Sequence, residues 1–162
     1  MKSIVLVRHG KSSWEFDVSD VQRPLKQRGI KDAQLVANKF IKSNKIPEKI
    51  FSSPANRALS TCKIFVSIFN LSENSISIED DLYDFGGENV LRFVKKLPNE
   101  YTSIMIFGHN HAFTSIANIF GDKFIENLPT SGLIKLKFDI DNWQDLKQGT
   151  TELIIIPKEL KQ

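Results

Sequence analysis

Residues 2–13 read Lys-Ser-Ile-Val-Leu-Val-Arg-His-Gly-Lys-Ser-Ser. Four consecutive apolar residues, Ile4 to Val7, form a short strand apolar on both faces. That pattern suits a central strand of a parallel sheet with helices on either side. It stops at Arg8, His9 and Gly10. Two cationic or potentially cationic side chains at the carboxyl end of a buried strand are costly unless something there needs them. In open α/β sheets that edge is where ligands bind. Successive strand residues point to opposite faces, so both side chains reach one pocket only if the chain is already turning. Gly10 allows such a turn. Taken alone, the pair reads equally well as surface residues at a strand end.

Gly10-Lys11-Ser12 resembles the close of a phosphate-binding P-loop, but that motif needs a glycine where this chain has Val5. Further along, Lys11 to Pro24 is a polar loop with Trp14, Phe16, three acids (Glu15, Asp17, Asp20) and Arg23. Arg23 is expected to pair with one of the aspartates and tie the loop down. Residues 25–43 carry Ile30, Ala33, Val36, Ala37, Phe40 and Ile41 at helical spacing. Gly29 lies in the first turns of that helix. It costs roughly 1 kcal/mol against alanine there, which points to a close backbone approach.

A second strand, Lys49 to Ser52, is followed by Ser53 as N-cap, Pro54 as first helical residue and a helix to about Phe69. Ala58, Cys62, Phe65, Val66 and Phe69 form its core face, so Cys62 reads as a packed thiol and not a nucleophile. Arg57 falls in the first turn. Cations are not the favoured charge at a helix N-terminus, so an anionic partner would explain it. Ile76 and Ile78 mark a third strand, and a helix is expected from about Glu88 to Leu97. A fourth strand, Ser103 to Phe107, ends in Gly108-His109-Asn110-His111 before a helix from Ala112 to Phe120. Leu133 to Phe138 and Glu152 to Ile156 read as an antiparallel pair at the sheet edge.

Strands alternating with helices predict a three-layer α/β/α sandwich with a mostly parallel central sheet and an antiparallel edge pair. The carboxyl ends of the parallel strands then share one rim, where Arg8, His9, Arg57 and His109 fall. Guanidinium groups grip phosphate oxygens bidentately and stay charged. A neutral imidazole can accept a phosphoryl group at nitrogen. Nearby arginines keep such a ring neutral by like-charge repulsion. This residue set therefore suits phosphoryl transfer, which needs positioning and charge stabilisation above all.

Composition bounds the rest. The 162 residues are 41% hydrophobic and 25% charged, with a net charge of +3. That is ordinary for one globular domain and too little positive charge to point to nucleic acid. No apolar run approaches a membrane span. The first strand begins at once, so no signal peptide is expected. Cys62 is the single cysteine, which suits a reducing cytoplasm.

Val-Arg-His-Gly at 7–10, Ser-Ser-Pro-Ala-Asn-Arg-Ala-Leu-Ser-Thr at 52–61 and Gly-His-Asn at 108–110 together resemble the histidine phosphatase superfamily, in its phosphoglycerate-mutase-like branch. Arg23-Pro24-Leu25, the compact length and Asn-Leu-Pro-Thr-Ser-Gly at 127–132 look most like its SixA-type phosphohistidine phosphatases. The resemblance covers nearly the whole chain and implies a single domain over 1–162. It implies that His9 is the phospho-acceptor nucleophile and that Arg8, Arg57 and His109 form the phosphate pocket. It implies neither metal nor organic cofactor. The expected partner is a phosphorylated substrate, with a phosphohistidine-bearing protein foremost.

The chain departs from the family in places. Mutase-type members carry Asn where this chain has Glu15. His111 stands where Pro is frequent, and reads as a loop residue. The segment between strands three and four, which supplies a carboxylate acid in mutases, is short. Glu88 and Asp84 are the candidate acids there, with Tyr83 behind them; Glu88 also suits a helix start. A phosphohistidine leaving group tolerates a missing acid because its imidazole departs easily. Other functions stay open: a phosphatase for a small phosphate monoester, a silent phosphate-binding module, or a metal hydrolase on His109-x-His111, whose third ligand the motif lacks.

Overall fold

The computed structural model describes residues 1–161. Six strands form one sheet: β1 (Lys2–Arg8), β2 (Lys49–Ser52), β3 (Ile76–Ile78), β4 (Ser103–Gly108), β5 (Leu133–Phe138) and β6 (Thr150–Ile155). Their spatial order is β3-β2-β4-β1-β5-β6. The first four run parallel, and β5 and β6 close the far edge antiparallel to their neighbours. This is the expected α/β sandwich with its antiparallel edge pair.

Period-two alternation along β1 splits its side chains between two cores. Ile4 and Leu6 pack with Ile104, Ile106, Val90, Val94, Phe113 and Ile116. Val5 and Val7 pack on the other face with Met105, Phe107, Ala33, Val36, Phe40, Cys62 and Phe65. The first cluster lies under α3 (Glu88–Lys95) and α4 (Ala112–Phe120), the second under α1 (Gln27–Ser43) and α2 (Asn56–Ile68). A short α5 (Pro157–Leu160) ends the described chain. Cys62 is a buried free thiol, and burial pushes its pKa up, as suits a core residue.

Two helix starts differ from the sequence expectation. α1 begins at Gln27, not at 25, because Leu25 bridges Ser12 and the Lys26 N–H donates to the Lys11 carbonyl at 2.8 Å. α2 begins at Asn56 with Ala55 as its N-cap. Ser53 does not cap it: its hydroxyl accepts from the Ala55 N–H at 3.1 Å and contacts His109 Nε2 at 2.8 Å.

The register of the three central strands positions the site. Arg8 pairs with Gly108, and Val7 and Ser52 both pair with Phe107. The chain leaves all three strands at one level. The His9 N–H donates to the Gly108 carbonyl and the Ser53 N–H to the Phe107 carbonyl, each at 3.0 Å.

Candidate active site

The turn after β1 is held from three sides. The Gly10 N–H donates to Thr61 Oγ1 at 2.9 Å, and that hydroxyl donates to the Arg57 carbonyl at 2.8 Å. The Ser131 N–H sits 3.1 Å from the Arg8 carbonyl and 3.0 Å from the His9 carbonyl. Ser131 does this at φ 60°, a left-handed conformation uncommon for a residue with a side chain. A Cβ on Gly10 would lie 2.9 Å from the Gly29 carbonyl oxygen, and one on Gly29 would lie 2.4 Å from the Lys11 carbonyl oxygen. The close approach expected at Gly29 is thus real.

His9 is 9% exposed. Its Nδ1 lies 2.7 Å from the Gly10 carbonyl oxygen. A carbonyl oxygen only accepts, so Nδ1 carries the proton and Nε2 keeps its lone pair. Burial, foremost, pulls the His9 pKa down to about 4, with Arg57, Arg8 and Arg23 adding repulsion against the Gly10 hydrogen bond. His109 is fully buried, its ring centroid 5.3 Å from that of His9. Burial and then His9 and Arg57 lower it to about 3. Both rings are neutral at pH 7.

Arg57 is 3% exposed, although sequence position alone would put it on the surface. Its Nη1 donates to the Asp20 carbonyl at 2.7 Å and its Nη2 to Asp20 Oδ2 at 3.0 Å. Asp20 Oδ1 accepts from Arg23 Nη1 at 3.2 Å, and Oδ2 also accepts from Tyr83 Oη at 2.5 Å. The Tyr83 hydrogen bond, aided by the arginines, holds the Asp20 carboxyl at about 2. Arg23 also donates to the Ser13 carbonyl and the Ser12 hydroxyl, and its guanidinium lies under the Trp14 ring. Arg8 Nη1 donates to the Leu128 carbonyl at 2.8 Å.

A pocket of about 300 Å³ opens here, lined by Arg8, His9, Asp20, Arg23, Arg57 and Phe85 among others. His109 stands behind it, packed against His9, Tyr83 and Phe85. Among the described residues, four buried side-chain atoms lack a hydrogen-bond partner, and two of them, Arg8 Nε and His109 Nδ1, belong to this constellation. Buried polar groups are normally satisfied, so a ligand with acceptor atoms would complete them.

Arg8, His9, Arg57 and His109 therefore come together as expected. Of the candidate acids, Tyr83 joins them, through Asp20 and the His109 ring, and the two carboxylic acids do not. Glu88 is exposed at the first position of α3 and does not line the pocket. Asp84 accepts from the backbone N–H groups of Gly87, Asn89 and Val90, which commits it to the start of α3. Glu15 is exposed beside a separate depression, and His111 is exposed ahead of α4. Among the described residues no cluster of three or more His, Cys, Asp or Glu is placed to hold a metal ion, and no helix is long and apolar enough to cross a membrane.

The sequence ranks Tyr83 only as a weaker candidate acid and Arg23 only as a loop tie, and it does not mark Asp20, Ser53 or Thr61 as parts of this site. Asp20 and Arg23, one 3₁₀ turn apart, carried the available signal.

The histidine phosphatase superfamily (branch 1) family model matches residues 4–87. An uncharacterized protein of Mycobacterium tuberculosis is 24% identical over 91% of this chain and 96% of its own. The protein histidine phosphatase SixA, solved with tungstate, superposes with a TM-score of 0.82 at 22% identity, covering 98% of this chain and 99% of that one. A mycobacterial glucosyl-3-phosphoglycerate phosphatase superposes at 0.67 and 12% identity, covering 94% of this chain and 98% of its own.

Proposed function

The chain belongs to the histidine phosphatase superfamily, and we propose that within it the chain is a protein phosphohistidine phosphatase working through phosphorylated His9. One observation carries the reading: the Nδ1 contact to the Gly10 carbonyl at 2.7 Å leaves an unprotonated Nε2 on a ring lining a pocket with three arginines.

Arg8 and Arg57 hold the phosphoryl oxygens, with His109 Nδ1 donating to one of them. That tautomer follows if the Ser53 hydroxyl donates to His109 Nε2, 2.8 Å away. His9 Nε2 attacks phosphorus, the bond to the leaving group breaks with its electron pair on that group, and water then hydrolyses the phosphohistidine.

Two features favour a protein phosphohistidine over a small monoester. Trp14 (76% exposed) and Phe85 (48% exposed) ring the mouth, and exposed aromatics suit a macromolecular partner. Neither candidate carboxylic acid, Glu88 or Asp84, is free at the pocket to protonate an alkoxide. The likeness to a protein histidine phosphatase points the same way.

The test compares a protein phosphorylated on histidine with a panel of sugar, nucleotide and glycerate phosphates. Turnover of the protein, with an acid-labile phosphoenzyme that His9→Ala abolishes, is the expected result. Turnover of monoesters with none of the phosphohistidine protein overturns the substrate assignment. Full activity in His9→Ala overturns the mechanism.

A further inference from the structure

We propose that Asp20 recognises the leaving group: its carboxylate accepts the free ring N–H of an N-phosphorylated imidazolium and so selects that class over phosphate monoesters. This rests on the phosphohistidine reading above and names the residue that enforces it.

The carboxylate lines the same pocket as His9, and its side chain is 45% exposed. An ionised carboxylate offers about four acceptor sites. Three are taken, by Arg57 Nη2, Arg23 Nη1 and Tyr83 Oη. The two donors on Oδ2 fill that oxygen, and Oδ1 holds only Arg23. One acceptor site therefore remains on Oδ1, at the mouth of the pocket. The groups facing it are Arg23, Arg57 and Tyr83, with His109 behind the Tyr83 ring. Held as an anion by these donors, Asp20 has no proton to give to an alkoxide. A carboxylate anion so placed would not help a monoester to leave.

A phosphoimidazolium needs no such proton. Its phosphorus-bearing nitrogen leaves as neutral imidazole when the P–N bond breaks and the electron pair returns to that nitrogen. The other ring nitrogen keeps its hydrogen throughout. His9, with hydrogen on Nδ1 and phosphorus now on Nε2, becomes the imidazolium. Positive charge passes from substrate to enzyme and no proton moves. A fixed anion beside the departing ring favours the protonated, reactive form of the substrate.

The experiment measures kcat/KM on N-phosphoimidazole and on para-nitrophenyl phosphate for the wild type, Asp20→Asn and Asp20→Glu. The ratio of the two should fall roughly 10- to 100-fold in Asp20→Asn, the loss typical of a charged hydrogen bond. Asp20→Glu, which keeps the charge, should recover most of it. Vanadate affinity checks that each variant still folds its oxyanion site. An unchanged ratio in Asp20→Asn, with both activities falling together, overturns the inference and leaves Asp20 as a residue that positions Arg57. Should the wild type itself turn over the monoester and not the phosphoimidazole, the phosphohistidine reading has failed and this one falls with it.

Discussion

The imidazoles of His9 and His109 stand 5.3 Å apart, centroid to centroid, with their planes tilted by 54°. Burial and neighbouring guanidiniums keep both uncharged, at about 4 and about 3 against an ordinary 6.5. Below pH 6.5 the unfolded chain binds protons at these positions that the folded chain refuses. Stability therefore falls as pH drops through the window from 6.5 to about 4, by about 1.4 kcal/mol per pH unit for each ring. For His9 alone that reaches about 3 kcal/mol by pH 4. Urea unfolding at pH 7.5, 6 and 4.5 should show this slope, and His9→Gln should reduce it by about half, leaving the His109 share. A flat wild-type profile would mean that the rings are not neutral in the fold.

Arg57 offers a planar fork where a phosphoryl group would bind. Arg57→Ala should lower kcat/KM on the order of 10²–10³-fold, by analogy with the loss of one preorganised oxyanion donor. Arg57→Lys restores the charge but not the fork, so a deficit should persist. Full rescue by lysine would show that only the charge matters.

Ser53 holds His109 through a 2.8 Å contact to Nε2 in a buried setting. Ser53→Ala leaves that nitrogen unpaired and should cost about 1–3 kcal/mol in stability. It should also lower turnover, because the ring loses the partner that sets its tautomer. Ser53→Thr, which keeps the hydroxyl, should recover turnover. Equal losses in both variants would assign the effect to packing.

Gly29 brings the first turn of α1 against the loop after β1. A methyl group there would sit 2.4 Å from the Lys11 carbonyl oxygen and 2.8 Å from its nitrogen, both backbone atoms. Ordinary helix propensity would make Gly29→Ala stabilising by about 1 kcal/mol. The contact reverses that sign. Thermal unfolding of Gly29→Ala should show a lower midpoint than the wild type, and a higher one would disprove the close approach.

The sheet was readable in the chain because Ile4 to Val7 and Ile104 to Phe107 are apolar at every position, the pattern of a strand covered on both faces. Arg8, His9, Arg57 and His109 were readable because each lies at or shortly after the carboxyl end of a strand. Tyr83 was readable only as a weaker acid and Asp20 only as one possible partner of Arg23; their contact was not. They lie in and beside short 3₁₀ turns that lack a period, and their meeting depends on tertiary packing. Ser53 looked like a helix cap because local propensity favours it there. Its contact with His109, 56 residues away, overrode that preference. Asp84 likewise passed for an acid until its backbone contacts assigned it to the start of α3.

His9 and His109 ride out of neighbouring parallel strands whose pairing joins segments about a hundred residues apart. Pairings that span so much chain pay a large loop-closure entropy and form slowly. Recovery of enzymatic turnover after dilution from denaturant should therefore be a late event. It should lag behind the return of helical circular dichroism and report the moment at which the middle of the sheet zips shut.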